Sequence, residues 1–79
     1  MKKVIEAFVE ERDNALRSLD KDKILMYMKK YGVPNFATTD LAFWAAVHKA
    51  RVHITTFTKS EIDFSREWLK EHGFNERVV

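Results

Sequence analysis

The sequence predicts an all-α protein, a compact four-helix domain whose third helix is central and whose second and fourth helices end in glycine caps. Apolar residues recur at helical spacing in four segments of the 79-residue chain. The last three segments begin after an aspartate or a threonine that can cap a helix. The only glycines, Gly32 and Gly73, directly follow the second and fourth segments. One small domain over residues 1–79 is therefore expected.

The first segment, about residues 3–18, is an amphipathic helix with one cation in an unusual place. Its apolar residues recur every three or four positions: Val4, Ile5, Phe8, Val9, Ala15, Leu16 and Leu19. Acidic residues, Asp13 among them, are predicted on the opposite side. At about 100° per residue, Arg12 falls within the apolar stripe, between Phe8 and Leu16. Its charge therefore needs a carboxylate partner or a route by which the guanidinium reaches water.

The second segment, about residues 20–31, has signals at both ends. Asp20 can accept hydrogen bonds from the free backbone N–H groups of the first helical turn. Gly32 can adopt the left-handed conformation that closes a helix, and Pro34 prevents the helix from continuing. These signals predict a short helix followed by a connector over residues 32–39.

The third segment, about residues 40–54, is apolar on nearly every side, which predicts a central helix packed by the others. Thr38 or Thr39 can cap it, and Asp40 suits the positive end of the helix dipole. Its C-terminal end is ambiguous, because the stretch RVHITTFT alternates as a short strand would. No second strand-like run exists for it to pair with, so a turn over residues 55–57 is expected.

The fourth segment, about residues 59–72, has the clearest start. In the stretch TKSE, the Thr58 hydroxyl and the Glu61 carboxylate can form a capping box. Gly73 can cap the C-terminal end and allow Phe74 to return towards Leu69. The tail over residues 75–79 is predicted to be frayed.

Composition and charge exclude several classes of protein. With 14 basic against 12 acidic residues the net charge is +2, which is weak support for a polyanionic partner. No apolar run approaches the roughly 18 residues of a membrane span, so no membrane partner is expected. The chain has no cysteine, which excludes disulfides and thiolate metal sites and fits a cytoplasmic location.

The sequence contains no recognisable catalytic or cofactor-binding pattern. His48 and His53 point about 140° apart on one helix, which does not suit a shared metal ion. Neither glycine belongs to a phosphate-binding loop. The serines lie in no turn that would expose and activate a nucleophile: Ser18, Ser60 and Ser65. A protein without cofactors and without enzymatic activity is therefore expected.

Five residues are candidates for a polar seam or a binding pocket: Arg12, Trp44, His48, Arg51 and Glu61. Trp44, His48 and Arg51 lie three and four positions apart, on one face of the third helix. A buried cation in this place needs an acid, for which Glu61 is a candidate. The pattern favours a structural seam of paired and stacked groups. The alternative is a pocket in which an arginine fork accepts an acidic group of a partner.

Four large apolar residues exceed what the predicted core requires: Met26, Phe36, Phe43 and Phe64. Together they would form an interaction surface. The chain is interpreted as a non-enzymatic interaction module that associates with itself, as a homodimer, or docks on a partner protein. The alternative is a nucleic-acid-associated regulator, because the second and third segments flank a glycine-containing turn as in a helix-turn-helix. The start of that recognition helix, TTDLAFWAA, is acidic and apolar, which is unfavourable for reading DNA.

Overall fold

The computed structural model describes residues 2–77, with side chains from Ile5 onward. It contains four helices: α1 (Lys2–Ser18), α2 (Lys21–Tyr31), α3 (Asp40–His53) and α4 (Lys59–Glu71). The described residues include no strand, and the stretch after α3 forms a turn. The predicted all-α class and its four helices are therefore confirmed.

The chain divides into two helical units. Unit 1, Met1–Asn35, contains α1 packed against α2, and unit 2, Phe36–Val79, contains α3 packed against α4. Within each unit only a few residues join one helix to the next. Short links of this kind make consecutive helices neighbours, which pack through their apolar faces.

Unit 1 begins α2 with the predicted aspartate cap. The Asp20 carboxylate accepts hydrogen bonds from the backbone N–H groups of Asp22 and Lys23, at 3.0 and 3.3 Å. Aromatic side chains then join the two helices. Phe8 of α1 packs edge-on against Tyr31 of α2, with ring centroids 4.9 Å apart. This is a favoured geometry for aromatic pairs, and it stabilises the contact beyond the area buried.

Polar contacts also join α1 to α2. The Lys30 ammonium lies 2.6 Å from one carboxylate oxygen of Glu11, and the Tyr31 hydroxyl donates to the other. The two hydrogen bonds lower the pKa of the Glu11 carboxyl, and the bond from Lys30 has the larger effect. Because the Lys30–Glu11 pair is exposed, its contribution to stability is small.

The Arg12–Asp13 pair corrects one prediction for α1. Asp13 is buried instead of facing solvent. Its Oδ1 accepts a hydrogen bond from Arg12 Nε at 3.0 Å and lies 3.0 Å from Nη2 of the same guanidinium. The carboxylate can leave water because the guanidinium compensates its charge. The cation in the apolar stripe is therefore neutralised by its neighbour in the sequence.

Gly32 and Gly73 end α2 and α4 in the same way. Both have left-handed backbone, with φ of +66° and +77°. One backbone hydrogen bond closes each helix. The Val33 N–H donates to the Met28 carbonyl, and the Phe74 N–H donates to the Leu69 carbonyl, both at 2.8 Å. With the shorter-range bonds from the glycine N–H groups, they form two Schellman motifs. Each motif turns the residue after the glycine back towards its own helix.

Unit 2 has threonine caps at the start of both helices. The Thr39 hydroxyl accepts a hydrogen bond from the Ala42 N–H at 3.1 Å. At α4, Thr58 and Glu61 each accept the backbone N–H of the other, at 3.2 and 3.0 Å, which is the predicted capping box. The buried apolar residues of this unit are Phe43, Ala45, Val47, Val52, Phe57 and Leu69.

The segment that follows α4 is tied to the helices of unit 2. The Glu76 carbonyl accepts a hydrogen bond from His53 Nε2 at 2.6 Å, and the Glu76 carboxylate accepts one from Arg66 Nε at 3.1 Å. Two hydrogen bonds therefore link Glu76 to α3 and α4, within a tail for which fraying stays a prediction. Residues 78–79 lie outside the described part of the chain.

Candidate functional site

His48 of α3 and Ser65 of α4 form a polar contact in the interior of unit 2. His48 Nδ1 lies 3.0 Å from Ser65 Oγ, and the two residues are 3% and 0% exposed. Burial disfavours the charged imidazolium and lowers the pKa of His48 to about 4, with smaller effects from the positive charges of Arg51 and His72. His48 is therefore neutral at neutral pH and pairs with Ser65 as an uncharged group.

Trp68 of α4 carries a stack of aromatic rings. The His48 imidazole stacks on it with centroids 4.4 Å apart, and the His72 imidazole stacks at 4.0 Å. Phe74 adds a nearly parallel ring 6.2 Å from Trp68. His72 Nδ1 lies 2.8 Å from the Trp68 carbonyl, and because a carbonyl oxygen only accepts, Nδ1 carries a proton. Stacking and hydrogen bonding together fix both imidazoles in orientation.

Phe64 is an exposed aromatic residue whose inner side is held by two residues of α3. The buried Arg51 guanidinium carbon lies 5.8 Å from the Phe64 ring centroid and 5.4 Å from that of Phe57. The His48 ring lies 5.9 Å from Phe64. Phe64 is nevertheless 53% exposed. Its outer surface therefore faces solvent while its position is set from inside the unit.

The residues proposed for a polar seam are only partly brought together. The rings of Trp44 and His48 lie 6.4 Å apart, and Arg51 is close enough to His48 to influence its pKa. Glu61 is engaged in the capping box of α4. Arg12 belongs to unit 1, where it pairs with the adjacent aspartate. The contacts around His48 itself are buried and stacked.

The four residues of the predicted interaction surface differ in exposure. Met26, Phe36 and Phe64 are 72%, 87% and 53% exposed. Phe43 is only 4% exposed, and its ring packs edge-on against Trp44 with centroids 5.2 Å apart. Including Phe43 in an exposed surface is therefore wrong, because the first turn of α3 places its ring on the buried side. Met26 lies in unit 1, whereas Phe36 and Phe64 lie in unit 2.

Three exposed acids lie on the same side of α4 as Phe64. At about 100° per residue, Asp63, Glu67 and Glu71 lie within roughly 100° of Phe64 around α4. All three are exposed. We call Phe64 with these three acids the anchor surface. The anchor surface therefore combines one apolar ring with three negatively charged side chains.

A groove of about 530 Å³ lies along the C-terminal half of α4, and sequence reasoning did not predict it. Its apolar lining includes Leu69 and Phe74. Its charged lining is Arg66, Glu67, Lys70, Glu76 and Arg77, and His53 contributes at one side. A further cation lies close by, since Lys49 Nζ is 5.8 Å from the Phe74 ring centroid. The groove therefore combines an apolar floor with a mainly cationic rim.

The buried Ser65–His48 pair does not present a reactive group to a substrate. The distance between His48 Nδ1 and Ser65 Oγ would suit a general base and a nucleophile, but both side chains are buried. The low pKa of His48 also makes it a weak base at neutral pH. Within residues 2–77, no cluster of three or more His, Cys, Asp or Glu side chains could hold a metal ion.

Comparisons of the chain with models of protein families, with curated proteins and with solved structures found no match. None of the described helices has the length and apolar character needed to cross a bilayer. The function is therefore inferred from the contacts and charges of this chain alone.

Proposed function

We propose that the protein is a non-enzymatic interaction module that associates with further copies of itself through the anchor surface around Phe64. The observation that carries this proposal is the exposure of Phe64, 53%, together with its fixed position against Arg51 and His48. A ring already held in one orientation loses little conformational entropy when it binds. Large side chains that insert into a partner's pocket are typical anchors of protein interfaces.

Met26 and Phe36 are less suited to be the anchor, although both are more exposed than Phe64. Met26 has three rotatable bonds, and ordering them on binding costs entropy. Phe36 lies in the connector before α3, and no aromatic neighbour among the described residues packs against its ring. The anchor is therefore placed at Phe64.

The size and composition of the chain support self-association as the form of this interaction. A chain of 79 residues buries a small core, and proteins of this size are commonly stabilised by disulfides, metals or association. Without cysteine, disulfides are unavailable to it. We place the protein in the cytoplasm for the same reason, since reducing compartments disfavour disulfides.

The proposal is tested by the mass of the purified protein in solution, measured by light scattering or sedimentation over a range of concentrations. The wild type is expected to exceed the 9.3 kDa of one chain. Phe64→Glu is expected to be monomeric with unchanged helicity. Met26→Glu, a matched substitution of an exposed apolar residue in α2, is expected to retain the wild-type mass. A wild-type mass for Phe64→Glu would overturn the proposal, and so would a monomeric Met26→Glu alone.

Nucleic-acid association is a second candidate, favoured by the three cations that line the groove: Arg66, Lys70 and Arg77. Contacts between these side chains and phosphates would make binding weaken steeply with salt. Gel-shift titrations with duplex and single-stranded DNA at low and high salt test it. No binding at low salt, or binding insensitive to salt, would exclude this candidate.

A further inference from the structure

We propose that the self-association is head-to-tail: the anchor surface of one copy occupies the groove along α4 of the next copy. This inference rests on the proposed function, because it names the surface that the same Phe64 anchor contacts. It follows from the charge around the anchor and from the charge and shape of the groove.

The charges of the anchor surface disfavour a two-fold contact of this surface with itself. In such a contact the same patch of both copies meets, so the acids of one copy face those of the other. Asp63, Glu67 and Glu71 lie on the same side of α4 as Phe64 and are exposed. Like charges brought together in an interface oppose association. The anchor surface therefore requires a partner surface that is apolar in the middle and cationic at the edge.

The groove provides these properties. Three cations and two acids line it: Arg66, Lys70, Arg77, Glu67 and Glu76. Arg66 and Glu76 form an ion pair at 3.1 Å and compensate each other, which leaves Lys70 and Arg77 against one further acid of the lining, Glu67. Lys70 and Arg77 are exposed and form no ion pair among the described residues. They are therefore available to meet the carboxylates of an incoming anchor surface.

The floor of the groove suits an aromatic side chain. Phe74 lines it, and its ring is nearly parallel to that of Trp68, with an interplanar angle of 12°. Leu69, the other apolar lining residue, is almost completely buried. A volume of about 530 Å³ exceeds the space one phenylalanine ring needs and is within the range of binding clefts. Phe64 of a second copy can therefore pack against Phe74.

Around α4, Phe64 lies about 120° from Lys70 of the groove, and Glu67 lies between them and borders both surfaces. A contact between Phe64 of one copy and the groove of the next joins two different surfaces. A chain of such contacts therefore keeps a free anchor at one end and a free groove at the other. Contacts of this heterologous type generate rings or open filaments. The mass of the wild type should accordingly rise beyond that of a dimer with concentration.

A mixing experiment with two complementary variants tests this inference. Phe64→Glu removes the anchor but leaves the groove intact. The double variant Lys70→Glu/Arg77→Glu reverses the groove charge but leaves the anchor intact. Each variant alone is expected to be monomeric, and an equimolar mixture is expected to form a 1:1 dimer of twice the monomer mass. Lys59→Glu, which changes an exposed lysine of α4 outside the groove lining, is expected to retain the wild-type assembly.

The outcomes separate this inference from the proposed function. If Phe64→Glu has the wild-type mass, both are overturned. If Phe64→Glu is monomeric but the groove variant assembles like the wild type, self-association through Phe64 stands and the head-to-tail arrangement is overturned. A mixture of two folded variants that stays monomeric also overturns the head-to-tail arrangement. Circular dichroism of each variant establishes that its helices are intact.

Discussion

His48 Nδ1 lies 3.0 Å from Ser65 Oγ, and both side chains are buried between α3 and α4. The same imidazole packs 5.9 Å from Phe64, whose outer surface is exposed. A buried hydrogen-bonded pair thus supports the ring that we propose as the anchor. Changes that loosen the interior of unit 2 should therefore weaken self-association as well as stability.

Acid should destabilise the protein through His48. Its pKa is about 4 in the folded chain, against about 6.5 in an unfolded one, so the unfolded state gains the proton first as the pH falls. The stability linked to this group is fully present above about pH 6.5. It is lost progressively towards about pH 4, by roughly 3 kcal/mol in total. Chemical unfolding followed by tryptophan fluorescence at several pH values measures this loss.

One substitution identifies His48 as the source of that pH dependence. His48→Gln keeps a polar group at the position but does not titrate, so its free energy of unfolding should change much less between pH 6.5 and about pH 4. All other ionisable groups are the same in the two proteins and cancel in the comparison. If the free energy of unfolding of His48→Gln falls with pH as steeply as that of the wild type, His48 is not the source of the pH dependence.

Ser65→Ala should destabilise unit 2 by about 1–2 kcal/mol, because it removes a hydrogen-bond partner of a buried imidazole. Ser60→Ala, at an exposed position of the same helix, should have a much smaller effect. Urea denaturation of the two variants provides the comparison. Equal midpoints would show that the hydrogen bond contributes nothing.

Arg51→Lys should reduce both stability and association, although it keeps the charge. Lysine lacks the planar guanidinium that faces the rings of Phe57 and Phe64. A loss of about 1–2 kcal/mol is expected for a desolvated cation–aromatic contact of this type. Arg51→Ala should lower the melting temperature further. If Arg51→Ala is as stable as the wild type but no longer associates, the residue forms a binding pocket instead of a structural seam.

Gly32→Ala and Gly73→Ala should each cost about 1–2 kcal/mol, because an L side chain is strained at positive φ. An added Cβ meets nothing within 4 Å at either position, so no steric clash adds to the backbone strain. Asparagine, which tolerates this conformation better, should cost less at both sites. Thermal unfolding of the alanine and asparagine variants at both positions measures these losses of stability. A smaller effect of alanine than of asparagine would contradict the left-handed cap geometry.

Salt should weaken self-association. Ion pairs between Lys70 or Arg77 of one copy and the acids around Phe64 of another would be exposed at the rim of the contact. Such pairs are screened when the Debye length falls from about 10 Å at 0.1 M to about 3 Å at 1 M. Sedimentation at these two salt concentrations gives the comparison. Association that strengthens with salt would instead indicate a purely apolar contact.

Local signals made much of the fold predictable. The Asp20 cap, the Thr58–Glu61 capping box and the two glycine ends each act within about one helical turn. Their hydrogen bonds join residues at most five positions apart, so that the sequence order alone brings the partners together. The helix bounds could accordingly be predicted to within one or two residues.

Features that depend on packing could not be predicted in the same way. The helical period predicted Asp13 on the solvent side. In the structure Asp13 is buried and pairs with Arg12. Phe43 is buried for a similar reason, since its ring packs against Trp44. The groove is lined in part by His53 and Glu76, whose contact joins positions 23 residues apart. No local pattern in the sequence indicates such a contact.

The most direct test of the head-to-tail contact is intermolecular paramagnetic broadening. Because the chain has no cysteine, Ser60→Cys provides a unique site for a nitroxide label, exposed and about 40° from Phe64 around α4. Labelled protein is mixed with ¹⁵N-labelled wild type, so that only amides of the other copy are observed. We predict the strongest broadening at amides lining the groove, from Leu69 to Arg77. Strongest broadening around Phe64 itself, or no broadening at all, would contradict the proposed contact.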